Sequence, residues 1–281
     1  MASFIDRLRQ ASREANSLVC VGLDVNPASM PLTIQRHLNP ILDFNKAIID
    51  ATADVVCAYK PNLAFYEQLG PAGMEILAET VKHIPRGKII IADAKRGDIG
   101  NTAKAYAKAL FEVYGFDAAT VSPYLGRDSL QPFLDYTDKG IFVLCKTSNP
   151  GSAEFQNLAV KSEDGVVRPL YEVVADRVTS WNEHGNCGLV VGATYPDELT
   201  RVRRIAPDLP ILIPGIGAQA GDLEASVKNG VDANGELALI TSSRAIIYAS
   251  ASDDFDLAAR RAAIALRDAI NRIRMVGRGD Q

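Results

Sequence analysis

The sequence predicts an α/β fold, a closed (β/α)8 TIM barrel forming a single domain over 1–281, on three observations. Short runs rich in Val, Ile and Leu recur along the chain, a longer helix-compatible segment follows each, and the pair repeats eight times. Strands covered on both faces read as near-continuous apolar runs, and their alternation with helical segments is the mark of βα units around a parallel sheet. Eight units in 281 residues favour a closed barrel over an open doubly wound sheet, since α/β barrels commonly occupy roughly 250 residues as one unit.

Strands are expected at 18–24, 54–60, 88–94, 117–122, 141–146, 187–192, 210–214 and 237–242. The last is ambiguous, because Glu236-Leu237-Ala238-Leu239-Ile240 could also begin a helix. Helices are expected at 39–53, where Ile41, Leu42, Ile48 and Ile49 follow a helical period, and at 66–82, 100–114, 128–137, 169–183, 196–205, 220–229 and 256–274. A further helical segment precedes the first strand. Residues 25–38, with Pro27 and Pro31, lengthen the first connection, and 149–168 form a long polar loop after strand five. Both leave C-terminal strand ends, the face where barrels of this kind keep their active sites. Long loops there are more often functional than structural.

Composition narrows the function. A formal charge of −4 provides no electrostatic footprint for nucleic acid or an anionic membrane. Cys20, Cys57, Cys145 and Cys187 lie in apolar runs without paired short spacing, which reads as buried thiols in a reducing compartment rather than disulfides or zinc ligands. His37, His83 and His184 are scattered, so no histidine-based metal site is expected. The N-terminus carries charges early and no long apolar run, which predicts a cytoplasmic protein with neither signal peptide nor spanning helix.

A charge in a barrel strand has to sit near the mouth, because the strand interior is apolar. Asp24 ends strand one, Lys60 ends strand two, and Asp93 and Lys95 end strand three. Residues two apart on an extended segment share a face, so Asp93 and Lys95 are expected to point together while Ala94 turns away. Asp98 follows the turn-prone Arg96-Gly97. An ammonium among carboxylates has its charged form favoured, which suits Lys95 to act as an acid rather than as a neutral Schiff-base amine. The bland alternative is an ion-pair network that only holds the barrel top together.

The second informative region is Pro214-Gly215-Ile216-Gly217-Ala218-Gln219-Ala220 after strand seven, with Thr241-Ser242-Ser243-Arg244 after strand eight. Barrels frequently bind phosphate in these two loops through glycine amides, here including Gly217, and a helix N-terminus, and Arg244 would add a charge-assisted contact. Gly215-x-Gly217-x-x-Ala220 also fits a loose dinucleotide fingerprint, weakly, because that motif belongs in a first βα unit. A plain structural turn is the other reading.

Taken in order, Val21-Gly22-Leu23-Asp24, Tyr59-Lys60-Pro61-Asn62, Asp93-Ala94-Lys95-Arg96-Gly97-Asp98-Ile99-Gly100-Asn101-Thr102, Ser122-Pro123-Tyr124, Thr147-Ser148-Asn149-Pro150-Gly151, Pro214-Gly215-Ile216-Gly217-Ala218-Gln219 and Arg244 resemble the orotidine 5′-phosphate decarboxylases, in their longer bacterial form. Shorter members usually carry proline at Gly100 and bulkier residues at Arg96 and Gly97; the Asp-Lys-Asp spacing is kept. The resemblance implies conversion of orotidine 5′-monophosphate to uridine 5′-monophosphate and CO2, the last step of pyrimidine nucleotide synthesis, by a lyase without metal or organic cofactor. It implies Lys95 as proton donor to pyrimidine C6, Asp93 beside the departing carboxylate, and Lys60 completing the array and contacting ribose. Asp24 would bind ribose hydroxyls, Ser148 the pyrimidine, and Gln219 with Arg244 the phosphate. Asp98, Ile99 and Thr102 would reach the partner's site in a homodimer. No room is expected for the phosphoribosyltransferase domain of fused versions.

Three rivals stand beside this reading. Sugar-phosphate synthases or decarboxylases of the same superfamily use a similar Asp-x-Lys-x-x-Asp motif with magnesium, but typically place an acidic residue where this chain has Lys60. A Schiff-base aldolase is another, and a non-catalytic nucleotide-binding barrel is the third.

Overall fold

In the computed structural model, which describes residues 2–161, 165–216 and 222–276, eight parallel strands close into a barrel in chain order. They are β1 (Val19–Gly22), β2 (Ala58–Lys60), β3 (Ile89–Arg96), β4 (Ala118–Val121), β5 (Gly140–Lys146), β6 (Cys187–Val191), β7 (Ile211–Pro214) and β8 (Ala238–Ser242). The ambiguous eighth segment is a strand: Ala238 pairs with Ile211 of β7, and Ile240 pairs with Val19 of β1, which closes the ring. Just before it, the Asp232 carboxylate accepts the amides of Asn234 and Glu236, folding that stretch as a turn where a helix could have begun.

Side-chain alternation along each strand builds two cores. Val19 and Val21, Ile141 and Val143, Ile211 and Ile213, and Ala238 and Ile240 join the outer layer beneath the helices. Cys20, Phe142, Leu212 and Leu239, one step out of phase, fill the barrel. The outer layer is the larger, because a small barrel has room for only a few side chains in cross-section. All four cysteines are buried free thiols, and burial pushes each up to about 12, which leaves them inert as nucleophiles.

The N-terminal helix Phe4–Glu14 starts at Ser3, whose hydroxyl accepts the Asp6 amide at 3.1 Å. Phe4, Leu8 and Ala11 repeat at helical spacing and seal the barrel floor as part of the inner core. The Phe4 ring meets Phe142 edge-on, with centroids 5.9 Å apart. Gly140 makes room for it: a Cβ there would lie 2.3 Å from Phe4 Cζ.

Several helices differ from their sequence-based spans. The expected 66–82 helix is split into Ala64–Glu67 and Gly70–His83, where Gly70 takes φ +65° ahead of Pro71. The 100–114 helix is α-helical over Gly100–Lys108 and passes into a π-turn at Ala109–Val113. After β7, the helix runs Leu223–Gly230, capped by the Asp222 carboxylate on the Ala225 amide. The 149–168 segment has structure of its own, with short helical turns at Pro150–Ser152 and Ala153–Gln156 and an antiparallel pair of Ala159–Lys161 with Val167–Pro169. Among the described residues no helix is long and apolar enough to cross a membrane.

Gly140→Ala is expected to lower stability by about 1–3 kcal/mol, because the floor is already close-packed, while any ligand affinity at the opposite, C-terminal face is unchanged. Urea unfolding of the two proteins checks this; equal midpoints would show that Phe4 can move aside freely.

Candidate active site

At the C-terminal ends of the strands, a cavity of about 170 Å³ is lined by Asp24, Lys60, Asp93, Pro214, Gly215, Ile216, Thr241, Ser243 and Arg244. The charged strand ends and the loops after β7 and β8, separate in sequence, thus open on one space.

Asp93 is the centre of its electrostatics. Only 12% of its side chain is exposed, and its two oxygens divide the cations between them: Oδ2 accepts from Lys60 Nζ at 2.7 Å and Oδ1 from Lys95 Nζ at 2.6 Å. Burial alone would raise the Asp93 carboxyl, but Lys60 and then Lys95 outweigh it and hold the group well below the usual carboxylate range. Burial likewise works against the charged form of Lys60, and Asp93, with Asp24 behind it, more than reverses that and keeps its ammonium above the ordinary lysine value. The lysines differ in freedom: the Lys60 side chain is 5% exposed and the Lys95 side chain 50%. Lys60 is a fixed charge, whereas Lys95 can turn toward a ligand.

Simple alternation does not bring Asp93 and Lys95 together. The β3–β4 register shifts between Ala92 and Arg96, and Lys95 takes φ +48°, the left-handed region that few residues other than glycine enter. The two side chains meet because the backbone folds inside a bulge, which re-aims side chains at barrel rims.

Asp24 Oδ2 accepts from Ser243 Oγ at 2.8 Å, while Asp24 Oδ1 and Thr241 Oγ1 are buried with no oxygen or nitrogen partner among the described residues. Buried polar atoms of this kind are costly unless something satisfies them, and both belong to residues on the cavity wall. Arg244 stands exposed at the rim with no ion pair to any described residue. Gly22 is what admits Ser243: a Cβ at Gly22 would lie 1.8 Å from Ser243 Oγ. Neither Gly22 nor Ser243 is picked out as a site residue by sequence reasoning, because their role is a close approach across strands distant in the chain.

Other expected residues lie outside the cavity wall. Asp98 accepts the amide of Ile99 at 2.8 Å; Ile99 is 61% exposed and Thr102 is also exposed, at the start of the helix after β3. Ser148 is half-buried after β5, with its carbonyl facing Thr194 Oγ1. Gly217 and Gln219 lie outside the described residues. Arg96 turns away, pairing with Glu67 and lying 5.2 Å from the Tyr106 ring centroid. Sequence reasoning also passes over Lys146, fully buried at the end of β5, which donates to Ser152 Oγ at 2.9 Å and lies 4.3 Å from the Tyr195 ring centroid. It ties the loop after β5 to the loop after β6.

Asp93→Asn is expected to cost about 3 kcal/mol of stability at neutral pH, because it strands a buried ammonium. The Asp93 contribution is present above the unfolded-state value near pH ~3.9 and is lost only as pH falls through the lower folded value. Denaturant unfolding should therefore give the same deficit at pH 5 and pH 7; a deficit gone by pH 5 would mean that Asp93 takes up its proton in that range.

The family model described as "Orotidine 5'-phosphate decarboxylase / HUMPS family" matches residues 17–256. The chain is 56% identical over 271 residues to the orotidine 5'-phosphate decarboxylase of Dehalococcoides mccartyi, spanning 96% of this chain and 98% of that protein. To the protein of that name from Thermomicrobium roseum it is 54% identical over 273 residues, 97% and 96% of the two chains. Its fold is similar to that of Leishmania donovani OMP decarboxylase, with a TM-score of 0.84 and 44% identity over 98% of this chain and 100% of that one. With a family match across most of its length and relatives above half identity, this chain belongs to the orotidine 5′-phosphate decarboxylase / HUMPS family.

Proposed function

We propose that the chain decarboxylates orotidine 5′-monophosphate to uridine 5′-monophosphate and CO2, as a cytoplasmic homodimer in pyrimidine nucleotide synthesis. The observation that carries this reading is the pairing of one desolvated carboxylate with two lysines of unequal freedom. As the C6–carboxylate bond breaks, its electron pair stays on C6 and CO2 departs. Lys95, protonated and half exposed beside Asp93, delivers a proton to C6. Lys60, held in place, maintains the field and contacts ribose. Asp93 keeps the Lys60 ammonium charged, pairs with Lys95 and lies beside the departing carboxylate.

The cavity suits the rest of such a substrate. The Asp24 oxygen that has no partner among the described residues would accept a ribose hydroxyl. Gly217, Gln219 and Arg244 would hold the phosphate, and Ser148 the pyrimidine. Asp98, Ile99 and Thr102 would serve the partner's site. Ile99 and Tyr124, 61% and 85% exposed, are large apolar side chains in the connections that leave β3 and β4, as a subunit interface requires.

The donor set argues against the magnesium-dependent relatives. Two ammoniums occupy the carboxylate oxygens that a divalent ion would need, and a divalent ion and an ammonium repel at such distances.

Purified protein should convert orotidine monophosphate at its full rate with EDTA present, followed by the loss of substrate absorbance. Lys95→Ala should keep nucleotide binding while turnover falls by about a thousandfold or more. Activity restored only by magnesium would support the synthase reading instead, and covalent trapping of substrate by borohydride would support the aldolase. Mixing Lys95→Ala with Asp98→Ala chains is expected to regenerate active hybrid dimers. If Asp98 acts within its own subunit, the mixture stays as inactive as its parents.

A further inference from the structure

The register of β3 against β4 contains an imbalance. Ala92 faces Ala119 and Arg96 faces Val121, so Asp93, Ala94 and Lys95 all confront Thr120 alone. In a regular parallel ladder each inward amide finds a carbonyl on the neighbouring strand. With three residues against one, the amides of Ala94 and Lys95 have no carbonyl opposite them, and an unpaired buried amide is strongly disfavoured. Both find the same atom. Thr120 Oγ1 accepts from Ala94 N at 3.1 Å and from Lys95 N at 3.0 Å.

That double acceptance decides where the hydroxyl proton goes. A threonine hydroxyl has two lone pairs and one proton, and with both lone pairs facing N–H donors, the proton is left to point at the remaining neighbour, Asp93 Oδ1 at 3.1 Å. This is the oxygen that also receives Lys95 Nζ at 2.6 Å. Thr120 is 1% exposed, so water does not compete. Its branched Cβ further restricts the rotation that would break the arrangement.

We infer that Thr120 is a positioning residue: its side chain replaces the missing ladder carbonyl, holds Lys95 in its left-handed backbone, and fixes the Asp93 oxygen against which the Lys95 ammonium is aimed. It acts on the reaction only through these two residues. The left-handed conformation is disfavoured for a residue with a side chain, and the two hydrogen bonds that Thr120 Oγ1 accepts from Ala94 and Lys95 offset that cost. The consequence for catalysis rests on the decarboxylase reading above; the geometric part does not.

The test compares Thr120→Val, which keeps shape and loses the hydroxyl, with Thr120→Ser, which keeps the hydroxyl. Thr120→Cys, differing from the serine variant by one atom, serves if the valine variant does not fold. In the valine and cysteine variants, kcat on orotidine monophosphate should fall by about tenfold to a hundredfold, since a misplaced reacting group loses rate before it loses binding. KM and inhibition by uridine monophosphate should stay within about twofold, and the serine variant should recover most of kcat. Crystal structures supply a readout independent of turnover: in the valine variant Lys95 should leave positive φ and its contact with Asp93 should lengthen, while the serine variant keeps both. Unchanged kcat, a parallel loss of kcat and nucleotide affinity, failure of serine to rescue, or an unmoved Lys95 would each overturn the inference. A wild-type protein that does not decarboxylate orotidine monophosphate would sink the functional reading alone, and the structures would still decide whether Thr120 holds Lys95.

Discussion

A carboxylate withdrawn from water at the end of a barrel strand stays ionised only where fixed donors replace its hydration. Asp93 meets this condition with Lys60 on one oxygen and Lys95 with Thr120 on the other. Much of the mouth follows from that requirement. β2 has to end in a cation whose stem can be buried, and it runs on beside β3 through hydrogen bonds that Pro61 and Leu63 make with the Asp93 backbone. β3 departs from regular pleating between Ala92 and Arg96, and the bulge there, with Lys95 at positive φ, is where the Asp93 and Lys95 side chains meet. Asp24 stands behind Lys60 and supports its charge.

The array also limits which physical effects can drive the proposed reaction. Repulsion between Asp93 and a substrate carboxylate at about 4 Å is worth at most ~4 kcal/mol at an effective dielectric near 20, against on the order of 20 kcal/mol for the largest enzymatic accelerations. Stabilisation of the developing carbanion by an ammonium already in place is therefore the larger part, because no solvent has to reorganise during the step. Binding energy at the phosphate end would orient the ring. On the proposed reading this division of labour matches the burial of the two lysines: buried Lys60 would set the field and half-exposed Lys95 would transfer the proton.

Most of the barrel was legible in the sequence because apolar periodicity and burial are the same signal there. Cys20 inside and Val19 and Val21 outside β1 are what alternation dictates. Charged strand ends were legible for a related reason: Lys60 and Asp93 have no tolerable place in a barrel interior except at its mouth. What stayed hidden depends on contacts across the chain. Thr120 reads as an ordinary β-former, and only the register of β4 against a bulged β3 gives its hydroxyl a task. Gly22 reads as a strand-end glycine until Ser243, more than two hundred residues later, is set against it. Asp93 and Lys95 were expected to converge by alternation, and they do converge, through a bulge instead.

The same bulge bears on why a second subunit would be built into the site. Three residues past Lys95, Asp98 has left the strand and turned outward, where its hydrogen bond is the local one to the Ile99 amide. Within one subunit, Lys95 has a carboxylate on one side, Asp93, and water on the other. On the proposed reading, the partner's copy of Asp98 fills that open side when the exposed apolar residues around Ile99 are covered. A second carboxylate would attract the Lys95 ammonium from that side and restrict its swing. Folding one barrel would then set the fixed half of the array, and association would complete the mobile half, which couples assembly to proton transfer through electrostatics rather than through any change in the barrel itself.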